Sequence, residues 1–191
     1  MRLGLYRGVR AIVYVLARLL YRIDVVGRIP PGACVVAANH ESLLDPPLLA
    51  LATTRPLHFL AKVELWRYRP GAWLMDALGG IPIRRDRRDL LSVGRAEELL
   101  RLGESVAIFP QGTVQGGVWT RGAARLALAT GTPLVPVRIV GTRRAFSRGR
   151  VTFSRIRMIV GEPIPVEQAK PTVAASKALT AELQARVDAA R

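Results

Sequence analysis

Short apolar runs bounded by proline and glycine recur along the chain, separated by segments whose apolar positions fall at helical spacing. The runs at 34–38, 57–61, 81–83, 105–109, 134–140 and 151–160 predict strands, because each is brief and flanked by turn residues. Helical periodicity between them predicts helices over 46–53, 71–78, 87–102, 121–130 and 172–190. Pro46 and Pro47 suit a first helical turn, while Gly79, Gly103 and Gly131 follow helix ends. In the 87–102 helix, Leu90, Leu91, Val93, Leu99 and Leu100 read as the inward face. In the last helix Leu179, Leu183 and Val187 do so. Strands alternating with helices imply an α/β fold with a mostly parallel sheet flanked by helices.

Ahead of the first run lies an amphipathic segment. On a helical wheel at ~100° per residue, Arg7, Arg10, Arg18 and Arg22 share an arc of roughly 120°. Leu5, Tyr6, Val9, Ile12, Val13, Leu16, Leu19 and Leu20 fill the other side. The longest uninterrupted apolar stretch, 11–17, is far short of the ~20 residues needed to span a bilayer. It also makes a poor secretory signal. Two readings remain: a helix lying in a membrane interface with its arginines on lipid phosphates, or a surface helix docked on the domain. The first divides the chain into a membrane-associating helix, 1–24, and a domain, 25–191.

Charge narrows the partners. Lys and Arg number 29 against 14 Asp and Glu, a formal net charge of +15 over 191 residues. An acidic partner is implied: nucleic acid, anionic lipid, a phosphorylated substrate or an acidic carrier protein. Aromatic residues make up only 6%, too few for base stacking, so nucleic acid is not expected. A single cysteine, Cys34, excludes a disulfide framework, and two histidines, His40 and His58, leave little for a metal centre. Cys34 and His58 sit within apolar strand patterns and read as structural. Arg143, Arg144 and the basic tract 148–157 read as solvated surface that together can face anionic lipid or an acidic acyl carrier.

Three short blocks carry candidate chemistry, each at a predicted strand end, where ligands gather in open α/β sheets. The first runs from Asn39 through His40 and Ser42 to Asp45. Histidine moves protons near neutral pH, and an aspartate five residues on can fold back onto its second ring nitrogen. No nucleophile accompanies the pair, so a substrate hydroxyl can take that role; a helix cap beside a surface histidine is the plain alternative. The second block, Gly80 to Arg85, delivers Arg84 and Arg85 to opposite sides of a strand. Arg84 reads as part of a charge cluster with Asp86 and Asp89. The third, Phe109-Pro110-Gln111-Gly112-Thr113, makes a tight turn whose polar groups suit a phosphate or headgroup, or is simply a turn.

In this order and spacing the blocks resemble the glycerolipid acyltransferase family, whose best-known members act on 1-acyl-glycerol-3-phosphate. Asn39, His40, Ser42 and Asp45 match its first block, and Gly80 to Arg85 its second. Phe109 to Thr113 match its third except for Gln111 in place of Glu. Val135-Pro136-Val137 and Arg121-Gly122-Ala123 also fit. The resemblance extends over about 25–163. It implies His40 and Asp45 as the catalytic pair, with Asn39, Ser42, Arg85, Gln111, Gly112, Thr113 and Arg121 binding substrate. It implies acyl transfer from acyl-CoA or acyl-carrier protein to a lysophospholipid, on the cytoplasmic face of a membrane. The thioester supplies the driving force, so neither metal nor cofactor is expected. Gln111 leaves the acceptor open to another lysolipid or a glycolipid. Hydrolysis of the thioester, or a non-catalytic basic membrane- or nucleic-acid-binding protein, are the competing readings.

Overall fold

A computed structural model describes residues 3–84, 89–114, 117–147 and 150–190. Its elements are helix α1 (Leu3–Leu20), β1 (Tyr21–Val26), β2 (Val35–Ala38), α2 (Asp45–Leu49), β3 (Leu57–Lys62), α3 (Arg69–Ala77), β4 (Gly80–Ile83), α4 (Leu90–Arg101), β5 (Ser105–Ile108), α5 (Gly122–Thr130), β6 (Leu134–Val140), α6 (Thr142–Ala145), β7 (Phe146–Ser147), β8 (Arg150–Val151), β9 (Ser154–Val160) and α7 (Val173–Ala189). One-turn 3-10 segments follow α2 and β3. Seven strands form one sheet in the order β1-β9-β6-β2-β5-β3-β4, and β7 and β8 pair as a separate hairpin. The run from β6 to β4 is parallel throughout. β9 joins β6 antiparallel, and β1 then lies parallel to β9. The α/β fold with a mostly parallel sheet is as the patterning implies.

β2 shows why the sequence folds this way. All four of its residues are 0% exposed, so the strand is apolar throughout rather than alternating, as expected where helices cover both faces. Val36 and Ala38 point into a core shared with Ala17 of α1, Leu48 of α2 and Ile156 and Met158 of β9. Val35 and Ala37 point into the other core, with Ala96 of α4, Ala123 and Ala127 of α5, and Leu183 and Val187 of α7. Gly141 closes β6 at φ 95°. A side chain there would collide with the Arg155 carbonyl of β9, so only glycine permits the turn.

Three expectations are corrected. The amphipathic segment is helical only to Leu20, and Tyr21–Val26 is a strand, so Arg22 leaves the helical wheel. The inward face of α4 is rotated from the expected one: Leu90 and Leu91 are 74% and 88% exposed, while Ser92, Ala96 and Leu100 are buried. Asp89 accepts from the Ser92 N–H and so caps the helix, and the Ser92 hydroxyl donates to the Pro82 carbonyl of β4, so Leu90 and Leu91 lie on the outer side of that turn. The stretch 151–160 is not one strand, since the β7–β8 hairpin ends at Val151 and β9 starts at Ser154. No helix among the described residues is long and apolar enough to cross a membrane.

Candidate active site

The loop between β2 and α2 carries His40, Asp45 opens α2, and β2 is the middle strand of the seven-stranded sheet. His40 Nδ1 is 2.8 Å from Asp45 Oδ2; the Asp45 side chain is fully buried and that of His40 is 13% exposed. The same oxygen accepts the backbone N–H groups of Glu41 (2.6 Å) and Ser42 (2.8 Å). Three donors converging on one oxygen make the loop wrap a carboxylate. Asp45 Oδ1 is buried without a hydrogen-bond partner among the described residues. With Asp45 holding Nδ1–H, Nε2 is the ring nitrogen left to accept a proton. The His40 ring stacks on Phe109, centroids 4.4 Å apart and 27° between planes.

The neighbouring strands hold this loop from three sides. Both amide atoms of Asn39 engage Ile139, Nδ2 donating to its carbonyl (2.8 Å) and Oδ1 accepting its N–H (2.7 Å). Ser42 Oγ donates to the Phe146 carbonyl (3.4 Å) and accepts the Leu44 N–H (3.3 Å). Gln111, just past β5, accepts the His40 backbone N–H on Oε1 at 2.7 Å. Because β5 is hydrogen-bonded to β2, their C-terminal loops emerge side by side. Gly112 stands at φ 71°, its N–H bonded to the Phe109 carbonyl. Thr120 returns to the Pro110 carbonyl through both its N–H and its hydroxyl.

Of the residues singled out from sequence, the fold joins His40, Ser42, Asp45 and Gln111 by hydrogen bonds and ties the adjoining Asn39 to β6. Gly112 continues the turn after Gln111, Thr113 is exposed there, and Arg121 is exposed at the start of α5. Arg85 lies outside the described residues. Arg84 is exposed, with its N–H on Asp89 Oδ2 (2.9 Å), in keeping with a charge cluster. Two contacts had no counterpart in the sequence reading: the Phe109 ring beneath His40, and Ile139 on β6 as the anchor of Asn39. Cys34 precedes β2 and His58 is the second residue of β3, both buried at the opposite end of the sheet. Burial pushes the Cys34 thiol up, opposed by its bond to Ser105. Among the described residues no cluster of metal-binding type occurs.

The same fold is found in a solved enzyme. The 1-acyl-sn-glycerophosphate acyltransferase PlsC from Thermotoga maritima superposes with a TM-score of 0.78, covering 95% of this chain and 76% of that one at 24% identity. The Acyltransferase family model matches residues 22–140, and the chain belongs to this family. A 1-acyl-sn-glycerol-3-phosphate acyltransferase of Brassica napus chloroplasts is 31% identical over 157 residues, 75% of this chain and 45% of that protein. The lyso-ornithine lipid O-acyltransferase of Pseudomonas aeruginosa is 39% identical over 104 residues, 53% of this chain and 39% of that protein. The chain thus spans about half the length or less of these curated relatives.

Proposed function

We propose that this chain transfers a fatty acyl group from a thioester, acyl-CoA or acyl-carrier protein, to the free hydroxyl of a lysophospholipid, 1-acyl-glycerol-3-phosphate. The observation that carries this is the 2.8 Å contact between His40 Nδ1 and a fully buried Asp45. His40 Nε2 takes the hydroxyl proton as that oxygen attacks the thioester carbon. The carbon–sulfur bond breaks as the new ester forms, and the proton passes to the departing thiolate. Asp45 holds the ring and stabilises its charged form. Asn39, Ser42 and Gln111 position the loop. Arg85, Gly112, Thr113 and Arg121 take the acceptor's phosphate, with Arg85 assigned by its place just beyond β4. The exposed apolar strip of α1 supports a peripheral position on the cytoplasmic face of a membrane.

A second acceptor is favoured by one observation. The Pseudomonas relative is named for a lyso-ornithine lipid, and the uncharged Gln111 beside His40 alters the headgroup environment that a carboxylate would create. Purified protein, labelled acyl-CoA or acyl-carrier protein and a panel of lysolipids, with products resolved by mass spectrometry, decides between them. His40→Ala should lower turnover by ~10²–10⁴-fold with an unchanged circular dichroism spectrum, and Asp45→Asn should move the same way. Wild-type turnover in His40→Ala would overturn the mechanism.

A further inference from the structure

Where α1 hands over to β1, the edge of the sheet opens into a cavity of about 620 Å³. Its lining includes Arg18, Arg22 and Arg155 and no acidic residue. Arg22 and Arg155 are direct register partners across β1 and β9. Two residues further along the same face, Asp24 and Arg157 are also partners, and there the sheet makes an ion pair at 3.3 Å. One rung therefore carries opposite charges and the next carries like charges. Like charges side by side across strands repel. Arg18 adds a third positive charge, its guanidinium 6.0 Å from the Tyr14 ring centre. None of the three arginines has a carboxylate partner among the described residues. The chain from 141 to 161 adds Arg143, Arg144 and Arg150 with no Asp or Glu.

An arrangement that repels itself when empty is complementary to an anion. Arginine forks suit the oxygens of phosphate, singly or in pairs. The rim gives the anion's other part: Leu19 is 70% and Phe153 79% exposed. Leu19 ends the exposed apolar strip of α1 that also holds Ile12 and Leu16. We propose that Arg18, Arg22 and Arg155 form a phosphate site for a glycerophospholipid headgroup, separate from the catalytic loop, with the lipid's apolar part on Leu19 and Phe153. β9 begins beside the end of β6 from which the His40 loop is anchored. At ~4.8 Å per strand spacing, β9 is about 10 Å from β2 along the sheet. The bound lipid thus holds the catalytic end of the sheet against the bilayer without entering the reaction. The phosphate chemistry stands on the cavity alone, and the lipid as its source rests on the membrane position proposed above.

The test compares the full chain carrying Arg22→Gln and Arg155→Gln with a control carrying Arg95→Gln and Arg125→Gln. The control loses the same charge from exposed positions on α4 and α5. Flotation is measured on phosphatidylcholine vesicles with and without phosphatidylglycerol, beside calorimetric titration with inorganic phosphate and glycerol 3-phosphate. The cavity variant should bind anionic vesicles at least tenfold more weakly, the control less than threefold. Turnover on a water-soluble short-chain acceptor should be unchanged in the cavity variant, which separates this proposal from the catalytic one. Arg22→Asp, which recreates the Asp24–Arg157 type of rung, should melt no lower than wild type and still lose vesicle binding. Phosphate-ester heats that vanish in the cavity variant without a change in flotation would retain the site and assign it to a soluble phosphate. Equal losses in cavity variant and control, or none in either assay, would overturn the site.

Discussion

Gln111 is held by one contact with two consequences. Its Oε1 accepts the His40 N–H, which turns its Nε2 away as a donor. A glutamate could keep the first contact but would replace the donor with a negative charge near the His40–Asp45 pair. Gln111→Glu should therefore fold and melt like wild type, yet change the ratio of turnover between phosphate-bearing and zwitterionic lysolipids. Gln111→Leu leaves the His40 N–H unpaired, at about 1–3 kcal/mol, so turnover should fall about 5- to 150-fold with donor KM little changed. Unchanged acceptor ratios in the first and unchanged turnover in the second would remove Gln111 from the positioning of His40. The His–Asp pair was legible in the sequence because its members lie five residues apart. The bonds that fix it were not, since His40 meets Gln111 across 71 residues and Asn39 meets Ile139 across 100. No local pattern encodes such contacts; only the adjacency of strand ends makes them.

At the scale of the element, α1 divides its apolar side in two. Tyr6, Val9 and Ala17 are buried against the domain, while Leu5, Ile12, Leu16 and Leu19 face outward. Periodicity showed one apolar side; docking takes part of it, and the outward part is what the membrane position proposed above would use. The docked side is specific: the Tyr6 hydroxyl accepts the Leu57 N–H and donates to the Arg55 carbonyl, and Arg10 Nε donates to the Ala50 carbonyl. Changing Ile12 and Leu16 together to Ser should weaken vesicle binding tenfold or more while leaving the melting temperature in place, since neither side chain touches the core. Tyr6→Phe should do the reverse, destabilising the chain by about 1–3 kcal/mol through the unpaired Leu57 N–H. Flotation and thermal melts on the two variants check this, and a loss of stability from Ile12 and Leu16 would contradict the division. The error in α4 has a related cause. Its leucines cluster at the first turn, but there the Ser92 hydroxyl donates to the Pro82 carbonyl of β4, which turns the side of Ser92, Ala96 and Leu100 to the core and leaves Leu90 and Leu91 outside.

Over the whole molecule the two ends of the sheet differ. One end holds His40, Asp45 and the arginine cavity; the other buries His58, whose Nδ1 donates to the Gly79 carbonyl at 3.1 Å. Burial holds His58 below its ordinary value, against the opposing pull of the Gly79 carbonyl and the Glu104 carboxylate and with added repulsion from Arg95. The unfolded chain takes up a proton near pH ~6.5, and the folded chain resists it. The contribution is therefore present above that pH and is lost as pH falls through it towards the depressed folded value. His58→Gln, which keeps a donor for Gly79, should flatten the decline of melting temperature below pH ~6.5. An identical slope in both proteins would place the acid sensitivity elsewhere. The strand and helix content that defines this sheet was readable from periodicity, whereas β1, lying within the amphipathic segment, was not, because its pairing partner β9 is remote in sequence.

That remoteness also orders events during synthesis. Tyr21 has no strand partner until Ser154 has been made, and at ~5–20 residues per second the interval is on the order of ten seconds. Throughout it β1 cannot close, and α1 lacks the surface around Ile156 and Met158 that helps to bury Ala17. The nascent chain thus presents its whole apolar helix, both the side later docked and the side left outward. If the membrane position proposed above holds, a ribosome translating this message near a bilayer would offer the helix to lipid before the domain competes for it, and the last strand would complete the fold there.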